Sequence, residues 1–183
     1  MGTGSSFKFF GSTGVDYLHN IINSYIEKSQ ISAAGDVKVF ANSETNNTNA
    51  EGTLDVTKAQ KVGIGVNGDV AVNVHKNVIS ARTDSETEIK NSKSFSVLAQ
   101  AKNQSIVSPV GAGIAIGGTG MAAANVSINY SKNTVNALAS GEITSTGNVN
   151  VSALDDSTVY TRGGTLDATI PLTIINITGV VNV

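Results

Sequence analysis

Apolar and polar residues alternate with a period of two along most of the chain. Alternation of this kind predicts β-strands with one buried face, and we expect the β-branched residues to point inward and the Ser, Asn, Lys and Gly residues outward. The alternating runs are Val37/Val39, Val62/Ile64/Val66, Val70/Val72/Val74, Phe95/Val97, Ile114/Ile116, Val126/Ile128/Tyr130, Val149/Val151 and Ile175/Ile177.

Small polar residues and glycines separate these runs and predict turns. They are Asn46-Asn47, Asn67-Gly68-Asp69, Asp84, Asn103, Gly117-Gly118, Gly147-Asn148, Asp155-Asp156 and Arg162-Gly163-Gly164. The spacing of a helix occurs only over residues 15–26. Because that segment aligns with the strand pattern of residues 70–82 at an offset of 56, with His19 over His75, a strand is favoured there.

The pattern itself recurs along the chain at an offset of about 56. Residues 70–77 return as 126–133, and residues 34–41 return as 92–99 and again as 146–153. In a β-rich chain, a period of this size is typical of arrays in which each unit buries its apolar face against its neighbours.

We therefore predict an all-β fold, a right-handed parallel β-helix (solenoid) built from sequence repeats of about 56 residues. Each repeat is expected to hold two or three coils. Alanines at matching positions, such as Ala41, Ala99 and Ala153, predict a narrow interior. Residues 1–14 are expected to be an irregular leader, and residues 15–183 a β-helix fragment of a longer exported passenger.

Composition narrows the function classes. Charged residues make up 14% of the 183 residues and the net charge is −2, so no strong field exists to attract nucleic acid or anionic membrane. The absence of cysteine excludes disulfides and thiolate metal sites. No apolar run reaches the roughly 18 residues of a membrane-spanning helix, since Pro109 and five glycines interrupt the richest stretch, residues 107–126.

One stretch resembles a known repeat. It combines a Gly/Ala-rich run at residues 111–124, an alternating strand ending in Lys132-Asn133-Thr134, and the strand Gly147-Asn-Val-Asn-Val-Ser-Ala153. This order is similar to the passenger repeats of filamentous-haemagglutinin-like adhesins and the fusobacterial leukotoxin. The resemblance implies a β-helical stalk, exported by an autotransporter or two-partner (type V) route, that serves adhesion or toxicity and so virulence.

Two glycine motifs invite a ligand interpretation. Gly63-Ile-Gly65-Val-Asn-Gly68 matches the dinucleotide fingerprint, but the last glycine would have to open a helix, whereas here it precedes a strand pattern. Gly117-Gly118-Thr119-Gly120 is similar to a calcium-binding nonapeptide, but Ala122 stands where the carboxylate ligand would be. We interpret both as repeat glycines and expect neither a cofactor nor a metal.

Asp155, Asp156 and Arg162 form the one candidate surface cluster. Paired carboxylates with a nearby base can support acid–base chemistry, as in polysaccharide lyases built on β-helices. The pair directly follows the Val149/Val151 strand, however, which is where solvated turn residues belong. We find no catalytic constellation in the sequence.

The remaining polar candidates have structural interpretations. Asp84, Glu86 and Glu88 are expected to lie on one outward face of a strand, where they keep the chain soluble. His19 and His75 are expected at the surface, because Ser131 occupies the third copy of that position. The asparagines of the repeat are expected in turns, or in amide ladders between stacked copies; they are Asn73, Asn77, Asn129 and Asn133.

These observations favour a non-enzymatic segment of a secreted or surface-displayed bacterial adhesin or leukotoxin. It would present polar faces to host cell-surface glycans or proteins, and the parent protein would use an outer-membrane translocator. End-to-end self-association is expected of an excised piece. The alternatives are a carbohydrate-active enzyme on the same scaffold and a purely structural spacer.

Overall fold

The computed structural model describes residues 6–58, 63–116, 120–170 and 176–182. Within these ranges the chain consists of β-strands joined by short turns, without a helix, and every strand pair is parallel. The all-β prediction is therefore confirmed. The same ranges hold no helix with the length and apolar character to cross a membrane.

Fourteen strands make up the described part of the chain. They are β1 (Ser6–Ile26), β2 (Gln30–Ser32), β3 (Asp36–Asn49), β4 (Gly52–Lys58), β5 (Gly63–Thr83), β6 (Glu88–Ser92), β7 (Ser94–Val107), β8 (Val110–Ile116), β9 (Gly120–Leu138), β10 (Glu142–Ser145), β11 (Val149–Asp155), β12 (Thr158–Thr161), β13 (Gly164–Ile170) and β14 (Asn176–Asn182). Residues 6–14, which the sequence predicts to be part of an irregular leader, belong to β1.

The strands form four parallel sheets that the chain visits in a fixed order. Sheet I contains β1, β5, β9 and β14; sheet II contains β2, β6 and β10; sheet III contains β3, β7, β11 and β12; sheet IV contains β4, β8 and β13. Each pass runs through sheets I, II, III and IV and then returns to sheet I. In the third pass, β11 and β12 together occupy the place of one longer strand, and both pair with β7.

Paired residues lie one sequence period apart. Ser12 is beside Asp69, Asn77 beside Asn133 and Thr45 beside Asn103, at sequence separations of 57, 56 and 58. The chain thus returns to each sheet once per period, and the expectation of two or three coils in each repeat is wrong. One pass uses the whole period because the strands of sheet I are long, with 21 residues in both β1 and β5.

Several predicted turns lie inside strands instead. Residues 67–69 and 76–77 belong to β5, residues 46–47 to β3, and Asn103 to β7. The predicted breaks at Asp84 and at residues 147–148 do fall between strands. Residues 15–26 are a strand, as favoured, but the register offset between β1 and β5 is 57 rather than 56. His19 consequently pairs with Lys76 and not with His75.

The prediction that valines point inward is wrong for most of sheet I. In β5 the inward side chains include Asn73, His75 and Asn77, which are buried, whereas Val70 and Val74 face outward and are partly exposed. Several inward amides find partners across the interior, because their protons reach backbone carbonyls of other sheets. Asn73 Nδ2, for example, donates to the carbonyl of Ile106 at 3.1 Å.

An apolar core occupies a different part of the interior. It lies between the C-terminal part of sheet I, sheet II and the N-terminal half of sheet III, and its largest members are Ile79, Ile89, Phe95 and Val97. Here the β-branched and aromatic residues do point inward, as predicted. The aligned alanines Ala41, Ala99 and Ala153 also share one row. Ala41 and Ala99 are buried, whereas Ala153, in the third pass, is exposed.

Candidate binding surface

The outward side of sheet I is a long, continuous surface, which we call the outer face. It follows strands of up to 21 residues, so it extends for roughly 70 Å at about 3.3 Å per residue. Its described residues are Phe7, Phe9, Gly11, Thr13, Val15, Tyr17, His19, Ile21, Asn23 and Tyr25 of β1, the even-numbered residues 64–82 of β5 and the even-numbered residues 122–138 of β9.

Large apolar and aromatic side chains on the outer face are open to solvent. Phe9 is 71% exposed and Tyr17 is 59% exposed, and Tyr130 on the third strand is 46% exposed. Contiguous exposed apolar surface beyond a few hundred Å² is uncommon on soluble proteins and marks a site of interaction. The outer face is therefore the strongest candidate for binding in the described part of the chain.

Every charged group on the described outer face is basic. Lys76 and Lys132 are neighbours across β5 and β9, and His19 completes the same row on β1. Two residues earlier on each strand, Tyr17, Val74 and Tyr130 form a parallel row, and Lys76 Nζ lies 5.9 Å from the centre of the Tyr17 ring. Aromatic rings thus flank a row of positive charge, an arrangement suited to an anionic ligand with an apolar face.

Lys76 and Lys132 are available to a ligand. Among the described residues, the ion pairs are Lys28–Glu86, Arg82–Glu27, Lys90–Glu88 and Lys102–Glu44, and neither lysine takes part in them. Arg82, further along β5, is held instead by Glu27, with its Nη2 2.8 Å from Oε1. The positive charge of the outer face is therefore concentrated in the row of Lys76 and Lys132.

Behind the outer face, asparagines form hydrogen-bonded ladders. Asn77 Nδ2 donates to Asn133 Oδ1, one period away, at 2.9 Å. Asn103, which belongs to sheet III, donates from its Nδ2 to the same oxygen at 3.4 Å. The amide ladder that the sequence offered as an alternative is confirmed for this pair. The turn interpretation of the repeat asparagines is wrong, because they lie inside β5 and β9.

The two histidines occupy opposite environments. His19 is exposed on the outer face, whereas His75 is fully buried, which corrects the expectation of two surface histidines. Asn47 Nδ2 lies 2.7 Å from His75 Nε2 and also donates to the Asp16 carboxylate. Burial lowers the pKa of His75, and the negative charge of Asp16 opposes that shift.

The predicted cluster of Asp155, Asp156 and Arg162 does not converge on one point. Asp155 extends the asparagine ladder, since it accepts protons from Asn133 Nδ2 at 3.0 and 3.1 Å and from Ser157 Oγ. Asp156 lines an open groove of about 250 Å³ on sheet III. The Arg162 guanidinium lies 5.9 Å from the centre of the Tyr160 ring, and no ion pair among the described residues joins it to either aspartate.

Asp84 and Glu86 lie in a turn after β5, although the sequence predicts a strand face; Glu88 alone of the three acids is in a strand, β6. Asp84 accepts protons from Thr87 Oγ1 at 2.6 Å and from the backbone N–H of Lys28. These bonds, led by the one from Thr87, lower the pKa of Asp84. Lys28 has a φ of 49°, a left-handed conformation in which its N–H meets that carboxylate. The stretch therefore connects two passes of the chain.

The ligand interpretations of the glycine motifs gain no support. Gly68 lies inside β5 beside Gly11 and Ala124, so it opens no helix to receive a pyrophosphate. Residues 117–119 of the calcium-like motif are outside the described ranges. Within those ranges, no group of three or more His, Cys, Asp or Glu side chains is placed to hold a metal ion.

Sequence reasoning missed the outer face, although a signal for it was present. Lys76 and Arg82 share the phase of the valines in β5, and long charged side chains are almost never fully buried. Their phase alone places Val70 and Val74 on the solvent side.

Comparison with known proteins identifies no family for this chain. No family model, no curated protein and no solved structure matches it.

Proposed function

We propose that this chain is a right-handed parallel β-helix in which each sequence repeat makes one coil. Four parallel sheets visited in a fixed order, with hydrogen-bonded partners at sequence separations of 53 to 58, support this description. Right-handed crossovers are the rule for parallel strands in one sheet. This scaffold offers a long, rigid surface for repeated contacts.

On this scaffold, the function best supported is attachment. The chain acts as a non-enzymatic segment of a secreted or surface-displayed bacterial adhesin of the filamentous-haemagglutinin-like or leukotoxin type. The observation that carries the proposal is the outer face, apolar and aromatic with only basic charges. Its adhesin class, its export by a type V route and its translocator rest on the resemblance of the repeat.

The ligand that fits the outer face is an acidic glycan chain on the host cell. Lys76 and Lys132 would pair with its carboxylate or sulfate groups, and Tyr17 and Tyr130 would pack against the apolar faces of its sugar rings. This differs from attachment through Ser, Thr and Asn faces, because in sheet I many of those polar side chains point inward. Weak contacts repeated along the strands would combine by avidity.

The test is binding of the purified chain to epithelial cells and leukocytes, with dye leakage read from the same samples. A Lys76→Glu/Lys132→Glu variant should bind at least about tenfold more weakly, since two favourable charge contacts become repulsive. The matched control is Lys38→Glu/Lys102→Glu, which makes the same charge change on the outward side of sheet III and should bind like the wild type.

Each result has a distinct meaning. An equal loss of binding in the two double variants would show that only the net charge of the chain matters. It would contradict the role of the outer face. Loss of wild-type binding after enzymatic removal of acidic glycans supports the proposed ligand, whereas loss only after protease treatment points to a protein receptor. Leakage would indicate a toxin. Absence of binding by a chain with intact β-structure would contradict attachment and leave a structural spacer.

A further inference from the structure

Asp69 is a buried carboxylate for which the described residues supply no basic partner. It points inward from β5 and is 0% exposed, and no ion pair among the described residues includes it. An ionised carboxylate in such a place is strongly unfavourable unless hydrogen bonds or an opposite charge compensate it. The stability of this carboxylate therefore depends on the hydrogen-bond donors around it.

The described residues provide too few hydrogen-bond donors for the two oxygens of Asp69 and the neighbouring Asn67 Oδ1. Ser12 gives two protons, from its backbone N–H at 3.1 Å and from its Oγ at 2.8 Å, both to Oδ1. Thr53 Oγ1 lies 3.0 and 3.1 Å from the two carboxylate oxygens and 2.5 Å from Asn67 Oδ1. Because a hydroxyl carries one proton, Thr53 can satisfy only one of these acceptors.

A buried amide oxygen lies next to this cluster. Asn125 pairs with Asp69 across β5 and β9 and is 1% exposed. Its Nδ2 donates to the carbonyl of Gly164 at 2.6 Å, whereas its Oδ1 has no hydrogen-bond partner in the described part of the chain. Buried acceptors without a partner are rare in folded proteins and require an explanation.

Both oxygens face one small space above Gly111. A methyl carbon on Gly111 would lie 3.1 Å from Asp69 Oδ2, 3.3 Å from Asn125 Oδ1 and 3.3 Å from Asn67 Nδ2. The amide of Asn67 is directed to the carbonyl of Ala112, at 3.4 Å. Since glycine has no side chain, a gap too tight for a methyl group remains here, and the side-chain atoms nearest to it are two oxygens and one amide nitrogen.

We propose that Asp69 and Asn125, together with the Thr53 hydroxyl, bind a hard, oxygen-seeking cation above Gly111. Carboxylate, amide and hydroxyl oxygens are the ligands such ions prefer. A monovalent ion such as Na⁺ would neutralise the single carboxylate, whereas Ca²⁺ would leave one excess positive charge in a buried site. The bound ion would join β5 to β9 and so hold two successive passes of the chain together.

Thermal unfolding followed by circular dichroism tests the site. The protein is compared in choline chloride, NaCl and CaCl₂ at equal ionic strength, since choline is too large for the space. NaCl or CaCl₂ should raise the midpoint of the wild type by several degrees over choline, and the salt that does so identifies the ion. Asp69→Asn should remove this difference, and Asp156→Asn, which neutralises an exposed carboxylate, should retain it.

A second variant keeps the test decisive if Asp69→Asn does not fold. Gly111→Ala preserves every charge but places a methyl group in the space, and it should also lose the response to the cation. Equal midpoints of the wild type in all three salts would overturn the proposal. A response of equal size in Asp69→Asn or Gly111→Ala would overturn it as well.

Discussion

The same strands are packed in two different ways along their length. Where β5 and β7 pass the apolar core, Ile79 and Phe95 fill the interior; nearer the other end, Asn73 and Ser105 meet there and form a hydrogen bond. Both regions are buried and both follow a strict alternation. Alternation therefore establishes two faces of a strand but not which of them is buried.

The two regions gain stability by different physical means. The apolar core gains from removal of hydrocarbon from water, roughly in proportion to area. The polar interior gains only about 1 kcal/mol from each satisfied hydrogen bond, but it loses more when a buried partner is left alone. The stability of the polar region therefore depends on the positions of its hydrogen-bond partners, whereas that of the apolar core depends on how completely its side chains fill the interior.

The largest effect is expected from truncating the core. Phe95→Ala should destabilise the protein by about 3–5 kcal/mol, because it removes a fully buried ring and leaves a cavity. Phe9→Ala removes the same ring from the outer face and should change stability by less than about 1 kcal/mol. Urea denaturation of the two variants measures the difference. Equal destabilisation would mean that the outer face is covered in solution.

A smaller effect is expected in the polar interior. Asn73→Ala should destabilise by about 1–3 kcal/mol, because the Ile106 carbonyl and Ser105 Oγ lose the amide that donates to them. Asn23→Ala, on the exposed side of β1, should stay within about 0.5 kcal/mol. The same denaturation measurement applies. An Asn73 variant as stable as the wild type would show that water replaces the lost amide.

Much of the fold could be predicted from the sequence, for reasons visible in single residues. Alternation such as Val37/Val39 predicts strands, and the offset between Val70 and Val126 predicts which strands pair, as the register confirms. The number of coils in a repeat could not be predicted in this way. Asparagine is a common turn residue, yet Asn103 lies within β7, where tertiary hydrogen bonds hold it.

The environments of the two histidines were predicted wrongly because of a one-residue register difference. A shift of one residue exchanges the two faces of a strand. The sequence alignment of His19 with His75 therefore predicted the same environment for both. The register offset of 57 between β1 and β5 places them on opposite faces. The cation site could not be predicted either, because it joins residues from four strands, among them Thr53 of β4 and Gly111 of β8.

The smallest effect separates these two histidines by pH. Burial lowers the pKa of His75 in the folded state, so the unfolded chain, with a pKa near 6.5, takes up the proton more readily. The stability that the folded protein gains by keeping His75 neutral is therefore present above about pH 6.5. It is lost as the pH falls through that value toward the folded-state pKa. The free energy of unfolding, measured by urea denaturation between pH 8 and 5, should fall less steeply in His75→Gln than in the wild type. His19→Gln, at the exposed position, should follow the wild type; if His19→Gln instead flattened the profile, the two faces of sheet I would be assigned the wrong way round.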